Sequence, residues 1–219
     1  MDREKRLLRA NIGCGQTPTI GWRNFDNSFS IRLMKFPLVV KILEMLHLLG
    51  KSQKEFISFA KHNDIIWANA TNHIPLPDNS VEVLYTSHML EHLDIEEAKL
   101  FLRESYRVLA PNGIIRIAVP DLRKLINRYI TDGDSDKFIE NTYLALPRSK
   151  NLVDRLKNLL IGARHHHWMY DGPSLCRLLS AHGFKKPTIV QAGSTSIPNP
   201  EELNLCERAD DSVYAEAYK

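Results

Sequence analysis

Asn11-Ile12-Gly13-Cys14-Gly15-Gln16-Thr17-Pro18-Thr19-Ile20-Gly21-Trp22-Arg23-Asn24-Phe25-Asp26 sets a glycine turn behind one apolar run and an acid at the end of the next. The preceding residues Leu7-Leu8-Arg9-Ala10-Asn11-Ile12 read as a buried strand. Two glycines bracketing one residue let a ligand approach the backbone where any Cβ would collide. A carboxylate closing the second run suits a ribose diol, so the segment predicts a nucleoside site. A dinucleotide fingerprint needs a third glycine opening a helix that faces a pyrophosphate, and Pro18 stands in that place. No Lys-Ser or Lys-Thr pair follows the glycines, and the short spacing between Gly15 and Asp26 is too small for a full crossover helix. The ligand that remains is a nucleoside without phosphate, which needs backbone contacts, one carboxylate and an apolar slot for its base.

The rest of the chain fits one α/β domain over residues 1–219. With 219 residues and 43% hydrophobic content it can bury a full core, and two independent domains are not expected. Charged residues make up 25% and the net charge is only +3, without concentrated basic clusters, so no nucleic acid partner is expected. Three cysteines, Cys14, Cys176 and Cys206, show no paired spacing and suit a reducing compartment. The charged start Asp2-Arg3-Glu4-Lys5-Arg6 has no apolar signal core, and no run reaches membrane-span length. The expectation is a cytoplasmic protein with at most peripheral membrane contact.

Strand-like runs recur at Trp22 to Phe25, Asp64 to Ala68, Val81 to Ser87, Ile114 to Val119, Thr188 to Gln191 and Val213 to Ala217, mostly separated by helical patterns. Such alternation predicts a Rossmann-like, mainly parallel sheet with helices on both faces. Asp94 and Glu97 form a capping box for a helix ending at Pro111-Asn112-Gly113, and Gly172-Pro173 opens another that stops at His182-Gly183. Helical insertions are expected at about 30–62 and 122–166, the second as a helical cap. In the first, Phe36 to Leu49 is apolar apart from a narrow stripe including Lys41, Glu44 and His47 or Leu48. It reads as a helix packed on the domain, with a lid, a homodimer face and a membrane-contacting helix as the other options. The loop Ser194 to Asp211 reads as irregular and mobile.

Several of these segments resemble the class I S-adenosylmethionine-dependent methyltransferases. Asn11-Ile12-Gly13-Cys14-Gly15 resembles their first motif, and Gly21-Trp22-Arg23-Asn24-Phe25-Asp26 looks like the Gly-Trp-x-Asn-x-Asp form of a small subgroup described for surface-polysaccharide pathways. Leu76 to Leu93 resembles the fourth-strand segment, Arg107 to Gly113 the turn before strand five, and His167 to Asp171 and Ser212 to Ala217 are similar to the same subgroup. The resemblance implies a seven-stranded sheet whose last strand is antiparallel, with S-adenosylmethionine at the carboxyl ends of the first strands. It implies that Asn11, Gly13, Cys14 and Gly15 pass under the methionine part, that Asp26 takes the ribose, that Asn69 and Ala70 meet the adenine, and that Ser87 and His88 line the methyl side. Many relatives carry an acid where Asn11 stands and an Asp where Asn69 stands.

Methyl transfer from a sulfonium needs positioning and exclusion of water, and a general base only for acceptors such as a sugar hydroxyl. The acceptor expected here is a hydroxyl or amine of a small molecule or glycan, lipid-linked carriers included. His88, directly after the fourth strand, is the first choice of base, against a packing role. His92 reads as a structural hydrogen bond, with Glu91 between the two histidines pointing elsewhere on a helical turn. Asp121 reads either as orienting the acceptor or a histidine, or as a helix cap. In Arg164-His165-His166-His167-Trp168-Met169-Tyr170-Asp171, successive histidines diverge, so one ion cannot take all three and no metal is expected. An acceptor-binding segment is expected instead, with His167 donating and Trp168 and Tyr170 stacking; core packing is the alternative. A non-catalytic cofactor-binding partner or sensor is the second functional reading, and a nicotinamide oxidoreductase is disfavoured by the missing third glycine.

Overall fold

The computed structural model describes residues 7–46, 49–145 and 165–219. Seven strands form one sheet: β1 (Leu8–Ile12), β2 (Arg23–Asp26), β3 (Ile66–Trp67), β4 (Val81–Ser87), β5 (Leu109–Pro120), β6 (Lys185–Val190) and β7 (Ser212–Tyr218). Their order is β3-β2-β1-β4-β5-β7-β6, parallel from β3 to β5, with β7 antiparallel to both β5 and β6. All seven expected strands are present. The Rossmann-like, mainly parallel architecture follows from apolar runs too continuous for a sheet wetted on one side.

Period-two alternation divides the core. Leu84, Ile115 and Ile117 face a large cluster with Ala98, Phe101, Leu102, Leu175 and Leu179, whereas Val83, Tyr85 and Ile114 face a second cluster with Trp22, Ile197 and Leu203. The helices of the first cluster are α4 (Ile95–Val108) and α7 (Gly172–Ala181). Each begins as its sequence predicts: Asp94 accepts from the Glu96 and Glu97 amides, and Asp171 caps the other helix through the Ser174 amide. On the second face, over β4 and β5, loop residues supply the cover. Thus the segment 194–211, expected to be mobile, is irregular but packed: Ile197 and Leu203 are 4% and 6% exposed. A buried ion pair explains it. Arg116 Nη1 lies 2.5 Å from Glu216 Oε1, and the same guanidinium donates to the Ser194 and Leu205 carbonyls.

The first insertion is three helices, α1 (Phe29–Met34), α2 (Pro37–Met45) and α3 (Lys51–His62). Pro37 starts a new helix because it lacks the amide that continuing the old one requires. α2 packs through a narrow side, Val40 buried with Leu33, Leu49 and Ile57 and Leu43 against them, while Leu38, Ile42 and Met45 on its wider apolar side are exposed; His47 and Leu48 lie outside the described residues. The second insertion, expected as a cap over 122–166, holds α5 (Leu122–Asp132) and α6 (Ser135–Thr142), and its part 146–164 lies outside the described residues. β3 is shorter than the expected Asp64 to Ala68, and β5 begins five residues early because Pro111-Asn112-Gly113 bulges between two paired stretches, Val81 with Leu109 and Val83 with Ile114. No helix among the described residues is long and apolar enough to cross a membrane.

Candidate active site at the carboxyl ends of the central strands

β1, β2 and β4 end together at Ile12, Asp26 and Ser87, and the chain leaves each through residues singled out in the sequence. Gly13 turns at φ +71° and its amide, like that of Cys14, donates to the Phe25 carbonyl at 2.8 and 3.0 Å. The Gly15 amide donates to Asp26 Oδ2 at 3.0 Å. All three amides therefore face β2, which leaves none of them for a phosphate. A Cβ on Gly13 would fall 2.5 Å from Met89 Cγ, whereas one on Gly15, at φ +50°, would meet nothing within 4 Å among the described residues. Gly13 is thus backed by the turn after β4, and Gly15 faces open space.

Asp26 is half-buried and its other oxygen accepts from the Ser28 amide at 2.8 Å, so it caps its turn while keeping the carboxylate at the strand end. Asn11, 2% exposed, donates through Nδ2 to the Thr17 carbonyl and to Thr19 Oγ1. Asn24 closes the same loop, accepting from the Thr19 amide and donating to the Thr19 and Trp22 carbonyls. These two amides do the bracing that a helix would do in a longer crossover. The Cys14 side chain packs with Ile31, Ala60 and Ile65, and burial, then the Asp26 charge, pushes its thiol far above the ordinary range. It offers the site backbone only. Asn69 Oδ1 accepts from both the amide and the hydroxyl of Thr71, and Ala70 is buried.

Beyond β4, Ser87 Oγ is buried without a partner among the described residues. His88 follows at φ +50°, its side chain 7% exposed. Its Nδ1 lies 3.2 Å from an Arg208 guanidinium nitrogen, and its Nε2 lies 2.8 Å from Ser212 Oγ. A guanidinium can only donate, so Nδ1 holds the lone pair and Nε2–H donates to Ser212. Glu91 does not point elsewhere: Leu90–His92 is a 3-10 turn, tighter than the expected α-helical one, and this brings Glu91 Oε1 to 3.2 Å from His88 Nδ1.

The other expected site residues divide. Asp121 caps α5 by accepting from the Arg123 amide, and its own amide donates to the Asp211 carbonyl. His92 makes the expected structural bond, Nδ1 to the His165 carbonyl at 2.9 Å. The amides of His167 and Trp168 both donate to the Glu91 carbonyl, which fastens this segment to the turn after β4; the His167 ring is exposed and lies 4.2 Å from the His165 ring. Trp168 is 44% exposed, but Tyr170 is 2% exposed, so the expected stacking by Tyr170 is corrected: it is a core residue paired through its backbone with Asp121. Arg164 lies outside the described residues. His166, the middle one of the three diverging histidines, turns its ring toward His92, centroids 5.2 Å apart, and burial lowers its pKa below the ordinary histidine value. A cavity of about 1130 Å³ lies at the opposite edge, among Leu8, Arg23, Ile66 and Glu82, where the same strands begin, and meets the site's loop at Thr19 and Asn24.

A parallel sheet whose strand order reverses beside β1, a glycine turn after β1 and a carboxylate at the end of β2 make up an α/β fold of the methyltransferase type. Residues 11–117, just under half of the chain, match the family model described as methyltransferase domain. The fold is similar to a methyltransferase from Thermotoga maritima (TM-score 0.53, 15% identity, 98% of this chain and 83% of that one). It is also similar to one from Methanosarcina mazei (TM-score 0.53, 12% identity, 99% and 93%). Among curated proteins none matches. Over residues 11–117 the chain therefore matches a methyltransferase domain, on a fold shared with solved methyltransferases.

Proposed function

We propose that this domain methylates a hydroxyl or amine of a small-molecule or glycan-type acceptor, with His88 as the base when the acceptor is a hydroxyl. The observation that carries the reading is His88 itself: a largely buried imidazole next to the β4 end, its tautomer set by the Arg208 guanidinium, with Nδ1 left as the acceptor and Nε2–H on Ser212. When bound, S-adenosylmethionine supplies a methyl group on a positively charged sulfur, already activated. Gly13, Cys14 and Gly15 hold its amino-acid part with backbone, Asp26 its ribose, Asn69 and Ala70 its adenine, and Ser87 the methyl side; Asn11 acts by bracing the loop. The open space at Gly15 and the strand-end carboxylate fit that load.

His88 Nδ1 takes the proton of an acceptor hydroxyl in the position the Arg208 guanidinium now holds. Asp121 and His167 orient the acceptor, and exposed Trp168 offers a flat face to a sugar ring. Exposed α2 is the feature that fits a lipid-linked acceptor or a second copy. Calorimetry with S-adenosylmethionine and S-adenosylhomocysteine, then turnover on sugar hydroxyl and amine acceptors, tests the reading. His88→Ala is expected to lower turnover on a hydroxyl by about 10²–10⁴-fold and to flatten its pH profile. An unchanged rate and profile sink the base assignment, and binding without turnover on any acceptor leaves a sensor.

A further inference from the structure

We propose that Glu91, His92 and His166 form a site for one divalent transition-metal ion of the zinc type, which clamps the His165–Trp168 segment onto the turn after β4. One ligand atom from each lies within 4.8 Å of those of the other two. Atoms held by one tetrahedral ion sit roughly 3.3 Å apart, so movements of at most about 1.5 Å close the site.

Both imidazoles are prepared for this. His92 Nδ1 meets the His165 carbonyl at 2.9 Å and His166 Nδ1 meets the Thr142 carbonyl at 2.8 Å. A carbonyl only accepts, so each Nδ1 carries the proton and each Nε2 keeps its lone pair, the tautomer that outer hydrogen bonds impose on metal-ligating histidines. Glu91 is the independent second observation. It is 1% exposed, and neither carboxylate oxygen has a hydrogen-bond donor among the described residues. His88 does not supply one, since its Nδ1, 3.2 Å from Oε1, already accepts from Arg208. A dry carboxylate without a donor is strongly disfavoured, and a cation removes that penalty. Two imidazoles and one carboxylate select a borderline divalent ion over calcium or magnesium, which prefer oxygen, and over ions that prefer thiolates. The clamp joins residues 74 positions apart along the same line as the His167 and Trp168 amides on the Glu91 carbonyl.

The test is calorimetric titration of the untagged, chelator-stripped full chain with Zn²⁺, with S-adenosylhomocysteine binding measured on the same samples. One Zn²⁺ per chain and a rise in melting temperature are expected. Glu91→Gln and His166→Asn are each expected to weaken Zn²⁺ binding at least about tenfold. Cys206→Ser, which removes an exposed thiol, is expected to leave it unchanged. If burial makes Glu91→Gln unfold, the half-exposed His166→Asn and the visible absorption of the Co²⁺-loaded native chain report the ligand set. No stoichiometric binding by the native chain, binding that survives both substitutions, or binding lost with Cys206→Ser overturns the proposal. S-adenosylhomocysteine reads the cofactor pocket separately, so failure of one reading does not pass for failure of the other.

Discussion

Replacing Gly13 or Gly15 by alanine adds the same methyl group two residues apart and is expected to do two different things. Both positions lie at positive φ, +71° and +50°, where an L side chain costs about 1–2 kcal/mol. At Gly13 the new Cβ also lands 2.5 Å from Met89 Cγ and 2.8 Å from Met89 Cβ, well inside contact distance. Overpacking of that kind adds about 1–3 kcal/mol, so Gly13→Ala is expected to lose about 2–5 kcal/mol in urea unfolding. At Gly15 nothing lies within 4 Å, and the loss stays at the conformational 1–2 kcal/mol, roughly. The new methyl of Gly15→Ala stands instead in the space assigned to the cofactor, and S-adenosylhomocysteine affinity is expected to drop at least about tenfold by calorimetry. A double-mutant cycle isolates the Cγ part of the clash: in a Met89→Ala background, which keeps the Cβ contact, Gly13→Ala should recover only part of the overpacking cost. Equal stability losses at the two glycines, no coupling to Met89, or undiminished binding by Gly15→Ala would each refute this account of the loop.

Two further outcomes follow from buried and half-buried ion pairs. Glu216→Gln removes the charge opposite Arg116, which is 0% exposed, and is expected to cost about 3–5 kcal/mol and to open the 194–205 loop to limited proteolysis; intact resistance counts against the loop's dependence on that pair. Glu104 titrates below its ordinary 4.5, chiefly because the Arg107 guanidinium hydrogen-bonds it, so its contribution is complete above that value and disappears as pH falls below it. Urea midpoints between pH 6 and pH 3 should fall less steeply in Glu104→Gln than in the native chain.

Much of the fold was legible because its strands are apolar runs with clear ends and its best helices carry their own caps. Asp94 with Glu97, and Gly172-Pro173, are local signals that nothing distant overrides. The sheet's reading faltered where a local rule met a distant partner. The 194–211 loop looks free in sequence, yet the unsatisfied donors of a buried arginine 78 residues earlier draw its carbonyls in. Tyr170 was read with its neighbours as a surface aromatic, whereas backbone pairing with Asp121 turns it into the core. In the site, the glycine turn and Asp26 were legible as chemistry, but the roles of Asn11 and Asn24 as loop braces were not, because an amide's partners depend on three-dimensional closure. The approach of His166 to Glu91 and His92 had no sequence signal, since helical spacing speaks only for the nearest turn.

His88 leaves the sheet at residue 88, yet both groups that fix its ring, Arg208 and Ser212, come more than a hundred residues later. On a ribosome adding about 5–20 residues per second, β1 to β5 can collapse seconds before β7 arrives to complete the sheet. Until then the nascent chain can hold its glycine turn and Asp26 without an oriented imidazole. On the role proposed for His88, competence for hydroxyl chemistry therefore arrives only once β7 is made, and a nascent or clipped molecule without β7 is expected to keep the glycine turn and Asp26 without an oriented base.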